Sequence, residues 1–166
     1  MKIDVSYYRE PQNQKTKIMH NAMKEIDFPN IPDNVKGTLV FTDYSDKDTV
    51  EIAEMEIAST IIDVDNPERK KQEDEKVRRK GYGRIILNEA CKVADINEIN
   101  LFVVTSAPGF FQKCGFPEFK EKEDKENENI FKTFFLKLFN KRKNIAKKTN
   151  DRGVFYREYN KDGVRA

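Results

Sequence analysis

The six residues Arg78-Arg79-Lys80-Gly81-Tyr82-Gly83 constrain this chain more than any other stretch. They open an apolar-periodic segment, residues 85–94, whose spacing predicts a helix. Two glycines one residue apart, entered from basic residues, let a backbone approach an anion closely with several N–H groups pointing at it. The helix dipole adds partial positive charge at the same place. A pyrophosphate is the natural occupant. A Gly-x-Gly at a helix start also serves dinucleotides and plain turns, so the hexapeptide alone leaves those readings open. A dinucleotide-binding domain would call for an acidic residue on a strand end about 20 positions later. Glu98 lies roughly there.

At 166 residues the chain is long enough to bury one substantial core. Charged residues make up 36% of it, yet the net charge is only +2, so the surface is densely charged without a strong global field. Cys91 and Cys114 show neither metal-ligand spacing nor a disulfide framework, which points to a reducing compartment, cytoplasmic or nuclear. A single histidine, His20, is a poor basis for a zinc site or a catalytic triad. No run approaches the roughly 18 apolar residues of a membrane span, and no secretion signal opens the chain. No membrane partner is expected.

Alternation predicts a first strand at 2–7, and Ile18, Met19, Ala22, Met23 and Ile26 predict a helix over 14–26. Further strands are predicted at 37–44, 50–64 and 99–104, a short helix at 108–113, a strand start at 116–120 and a last strand at 129–139 pairing with it. The pattern implies a mixed α/β sheet with flanking helices. Residues 65–80 are almost wholly charged, too poor in apolar surface to offset the entropy of ordering, and predict a mobile loop insertion. From residue 140 on, Lys141, Arg142, Lys143, Lys147, Lys148 and Arg152 make a basic tail. It is either simply solvated or a dock for an anionic partner such as RNA or an acidic protein.

The chain resembles the GNAT superfamily of acetyl-CoA-dependent N-acetyltransferases. The resemblance rests on Arg78-x-x-Gly81-x-Gly83 and on Phe110-Phe111-Gln112-Lys113-Cys114-Gly115-Phe116, which is similar to that family's aromatic element before a Gly-Phe. It covers residues 36–119. It implies a mixed, mostly antiparallel sheet splayed at its fourth and fifth strands, within a domain of residues 1–139 followed by a tail at 140–166. It also implies acetyl-CoA as cofactor, with the pyrophosphate held by Arg79, Lys80, Gly81, Tyr82, Gly83 and Arg84, and with Phe111 beside the cofactor. The pantetheine arm would run along Ile57, Ala58 and Ser59, whose backbone N–H groups would hold the thioester carbonyl. The long 65–80 connection resembles that in the acetyltransferase half of the Elongator catalytic subunit.

Ala53-Glu54-Met55 resembles the Ala-Glu-Ile of the histone-acetyltransferase branch, where the glutamate is a general base. That carries the role to Glu54, with Glu56 in reserve on the same strand face. A carboxylate enclosed by apolar neighbours would have its pKa raised toward neutrality, which suits a base. Two ordinary glutamates on a solvent-facing strand fit the same residues. Phe110 and Phe111 stand where many members of the superfamily have a tyrosine acid, and neither can donate a proton. The expected reaction is acetyl transfer to a primary amine, such as a protein lysine or N-terminus. The alternative is a non-catalytic module that binds CoA or contacts protein or nucleic acid. Cys114 and Cys91 are expected to pack rather than react.

Overall fold

The computed structural model describes residues 1–61, 65–118 and 153–160. The chain divides into two units, Met1–Val103 with Tyr156–Ala166, and Val104–Phe155. The elements run β1 (Asp4–Tyr7), α1 (Gln14–Glu25), β2 (Val35–Asp43), β3 (Thr49–Ser59), α2 (Pro67–Val77), α3 (Tyr82–Ile96), β4 (Asn100–Thr105), α4 (Pro108–Lys113) and β5 (Gly153–Arg157). The sheet order is β1-β2-β3-β4-β5.

This is a mixed α/β fold with helices flanking the sheet. Its longest ladder, β2 with β3, is antiparallel, while β1 joins β2 and β4 joins β3 in parallel. Each parallel step requires a crossover, and α1 supplies the one between β1 and β2. Asn13 caps α1 by accepting the Lys15 N–H at 2.9 Å. Asp43, at the end of β2, accepts the Gln12 and Asn13 N–H groups at 2.7 and 3.1 Å, tying the helix start to the sheet.

The core of the first unit is built from Met19 and Met23 of α1, Leu39 and Phe41 of β2, Val50 and Ile52 of β3, Ile86, Leu87 and Ala90 of α3, and Leu101 of β4, all 1% exposed or less. Gly37 marks where α3 crosses β2. A Cβ there would lie 2.8 Å from Ile86 Cδ1 and 2.9 Å from Ile3 Cγ2, so any larger residue would force these side chains to shift. The second unit has its own aromatic cluster. The Phe111 ring lies 5.5 Å from that of Phe116, edge-on, and 5.8 Å from that of Phe155, stacked.

Two expectations from the sequence are corrected. Residues 67–77 form a helix, not a loop. Asn66 caps it by accepting the Arg69 N–H at 3.1 Å, Pro67 occupies its first turn, and Lys70–Asp74 and Lys76–Glu73 pairs line it. Charge density therefore marked a solvated helix surface. The second correction concerns the tail, because residues 153–157 are strand β5. Arg157 is anchored to Asp95 of α3 by two bonds of 2.7 Å, and Asp95 also accepts the Asn160 N–H at 2.8 Å. The Tyr159 N–H is accepted by Asn100 at 3.1 Å. Within the segment 116–120, where a strand start was expected, Glu118 makes an isolated antiparallel bridge with Phe155, and residues 119 and 120 lie outside the described residues. The last strand expected at 129–139, and the basic residues 141–152, lie outside the described residues.

Candidate active site

Strand β3 carries Glu54, Glu56, Ile57, Ala58 and Ser59 of the expected site. Its parallel ladder with β4 runs from Thr49↔Asn100 to Ile52↔Val103 and ends there, although β3 continues to Ser59. At the same point the ladder with β2 skips a residue: Phe41 pairs with Ile52 and Val40 with Glu54, leaving Ala53 as a bulge. Beyond Ala53 the strand has β2 along one edge and, among the described residues, no strand along the other.

The ladder geometry says which backbone donors that free edge offers. The Thr60 N–H is bonded to the Asn34 carbonyl at 3.0 Å, so that pair is hydrogen-bonded and Val35↔Ser59 is not. Alternation then turns the N–H groups of Met55, Ile57 and Ser59 away from β2 and those of Glu56 and Ala58 toward it. The Ser59 N–H is already accepted by Asp74 of α2 at 2.8 Å. Of the three expected backbone donors, only Ile57 faces the open edge without such a bond. The Met55 N–H faces the same open edge and was not among the expected donors, because its direction depends on ladder phase and not on residue type.

The bulge also rearranges the carboxylates. Val40 and Thr42 share a face of β2, and they pair with Glu54 and Glu51, so Glu51 joins Glu54 and Glu56 on one face of β3. A regular strand would have put Glu51 on the opposite face. This face lies opposite the one where Gly37 meets α3. Glu54 and Glu56 are exposed, while Glu51 is 5% exposed and lies opposite Phe102 of β4. Glu54 is thus placed on the expected face, but not within the apolar enclosure the sequence suggested.

The glycine turn lies immediately before α3. Arg79 has φ 60° and Gly81 has φ 85°, both left-handed, with Lys80 between them at negative φ. The step from left-handed Gly81 into helical Tyr82 curls successive N–H groups toward one point, a concavity that suits an anion. Holding a non-glycine residue in the left-handed region costs on the order of 1 kcal/mol and is a mark of functional sites. Gly81 is the N-cap of α3 and has no side-chain cap bond. The first intrahelical bond is Ile85 N–H to the Gly81 carbonyl, so the N–H groups of Tyr82, Gly83 and Arg84 have no partner within the helix. A Cβ built on Gly81 meets nothing within 4 Å. Arg78, Arg79, Lys80 and Arg84 are exposed around it. The expected cradle residues therefore share one turn, with open space beside the Gly81 Cα.

Asp74 connects the two halves of this site. Its carboxyl is held below the usual carboxylate range by the Ser59 N–H and then by the Lys70 ammonium. Phe111 belongs to the second unit, where it is 4% exposed within the aromatic cluster. Cys91 and Cys114 are both half-buried. His20 stacks on Tyr7 at 4.1 Å and bonds Asn21 through Nδ1 at 3.0 Å. Among the described residues no group of His, Cys, Asp and Glu could hold a metal ion, and no helix is long and apolar enough to cross a membrane.

No protein-family model matches the chain, and no curated protein matches it. Among solved structures it is similar to the crystal structure of Rv2747 from Mycobacterium tuberculosis in complex with CoA and NLQ, at 18% identity and a TM-score of 0.46, over 86% of this chain and 80% of that one. A likeness of that degree assigns neither family nor activity.

Proposed function

We propose that this chain is an acetyl-CoA-dependent N-acetyltransferase that moves an acetyl group to a primary amine by direct attack in a ternary complex. The observation that carries the reading is the 78–83 turn. Left-handed Arg79 and Gly81, three first-turn N–H groups without helical partners and a basic surround form a seat of the shape and charge a pyrophosphate requires. In the GNAT superfamily, which the sequence resembles, the same motif performs this task. Arg79, Lys80, Gly81, Tyr82, Gly83 and Arg84 would hold the pyrophosphate, and the free edge of β3 at Met55 and Ile57 would pair with the pantetheine arm.

Bound acetyl-CoA would supply the acyl group as a thioester, whose C–S bond breaks as the C–N bond to the amine forms, releasing CoA. The chain's own part is proton handling and placement. Glu54 accepts a proton from the incoming ammonium through water, leaving the amine neutral for attack, with Glu56 in reserve. Three glutamates on one face of β3 favour a cationic acceptor such as a lysine side chain or a protein N-terminus. The resemblance of Ala53-Glu54-Met55 to the histone-acetyltransferase branch, and of the long connection before the turn to the Elongator catalytic subunit, supports the same class of acceptor. An RNA or acidic partner recruited through the basic residues 141–152 belongs to this proposal as well.

A second reading has one observation in its favour. Phe111 stands where many members of the superfamily place a tyrosine acid, and it is packed into an aromatic cluster without a hydroxyl. On that reading the chain binds CoA, or a protein or nucleic acid, without turnover.

Calorimetric titration with acetyl-CoA tests the assignment. Wild type should bind, and Gly81→Asp should weaken binding at least tenfold, or about 1.4 kcal/mol, by placing a carboxylate in the seat and straining a left-handed backbone. Unchanged affinity in a variant with an unchanged melting curve would overturn the assignment. Binding without turnover across a panel of amines would select the second reading.

A further inference from the structure

We propose that Asp74 is a positioning residue that holds the 78–83 turn at a set spacing from the open edge of β3, so that one cofactor molecule engages both. The inference rests on the cofactor reading above and adds a residue to it. Asp74 makes three bonds in three directions. Its side chain accepts the Ser59 N–H at 2.8 Å, at the end of β3. The same carboxylate accepts from Lys70 Nζ at 2.9 Å, along α2. Its backbone carbonyl accepts the Arg78 N–H at 3.0 Å, at the first residue of the turn. The Asp74 side chain is only 14% exposed.

Val77 is the one buried residue of α2, and it immediately precedes the turn. An 11-residue helix of this charge density does not persist unsupported in water. At its C-terminal end the helix is docked by Val77 and by the charge-assisted bond from the Ser59 N–H to Asp74. Both contacts lie within four residues of Arg78, at the end of α2 that carries the turn. The start of α2 sets the spacing less, because its distance from the turn is the whole helix.

The consequence is specific to a ligand that spans two points. A molecule gripped at the strand edge and at the turn gains from their fixed spacing, because the second contact forms at high effective concentration. Loosening α2 spreads the turn over many positions and removes that gain. A ligand that touches only the turn is indifferent to the spacing.

The test compares CoA with 3′-phospho-ADP, which keeps the phosphates and lacks the pantetheine arm. Asp74→Ala should lose roughly tenfold in CoA affinity while its 3′-phospho-ADP affinity stays within about twofold. Asp74→Asn keeps an acceptor for the Ser59 N–H and should stay within about threefold of wild type for CoA. Val77→Ala loosens the same docking without altering charge, and should show the same selective loss if Asp74→Ala does not fold. Equal losses for both ligands, an unaltered CoA affinity in Asp74→Ala and Val77→Ala, or Asp74→Asn as weak as the alanine variant would overturn the proposal. Wild type that binds neither ligand would instead remove the cofactor reading itself, and the positioning role with it.

Discussion

Strand β3 is two strands in one. Its first four residues, Thr49 to Ile52, are all buried, and Val50 to Ile52 are paired on both edges, with β2 on one side and β4 on the other. From Ala53 to Ser59 only one edge is paired, and Glu54 and Glu56 alternate with half-buried Met55 and Ile57. Both halves are runs of glutamate and aliphatic residues, so composition does not separate them. The difference comes from where β4 stops following. A strand paired on both edges has spent its backbone donors and can only pack. A strand that loses a neighbour keeps a row of N–H groups for a ligand, and keeps side chains reachable by a substrate.

The two halves of β3 should differ most in their contribution to stability. Ile52 is 1% exposed in the doubly paired half, and Ile52→Ala should cost about 2–5 kcal/mol in denaturant unfolding. Ile57→Ala, in the half-exposed part, should cost no more than about 1 kcal/mol. Similar losses at both positions would mean that the second half is packed like the first.

Turnover sharpens the contrast next. Glu54→Gln keeps shape and removes the proton acceptor, so the rate should fall roughly 10²-fold while acetyl-CoA still binds. Glu51→Gln and Glu56→Gln are the controls. If Glu51→Gln abolishes turnover and Glu54→Gln does not, the base sits on the closed half of the strand, and openness is not what selects it.

The smallest effect is a pH dependence at the boundary with α2. Asp74 has its carboxyl held below 3.8 in the folded chain by the Ser59 N–H and Lys70. A depressed folded value means the stabilisation is present above the unfolded value and is lost as pH falls through the folded one. Melting temperatures of wild type and Asp74→Asn should therefore differ near neutral pH and converge in acid below 3.8. A gap that is constant across that range would show that the carboxylate charge contributes nothing to the docking of α2.

Much of the turn was legible because its residues act through their own backbone. Gly81 reads as a left-handed position from its type, and basic neighbours at a helix start read as an anion seat. Helix α3 and strands β1 and β2 follow apolar periodicity that survives in the structure with boundaries shifted by up to three residues. The α2 helix was not legible, because its stability depends on a cap at Asn66, one buried Val77 and a bond from a distant strand. Residues 153–157 were missed because basic flanking sequence masks the short strand Gly-Val-Phe-Tyr-Arg. Its retention depends on Asp95, 62 positions away from Arg157.

Neighbouring residues thus specify the left-handed glycine at the start of α3, the alternation that places Glu54 with Glu56, and the mixed α/β class. Glycine conformation, helix capping and strand period are properties of neighbouring residues. Tertiary structure alone decided that Ala53 bulges, that Glu51 joins the other two glutamates, that Ile57 and Met55 rather than Ala58 face the free edge, and that Asp74 takes the Ser59 N–H. Each of these depends on the register between strands or on the docking of a helix far along the chain. Register is a relation between two segments, which neither segment's residues encode alone.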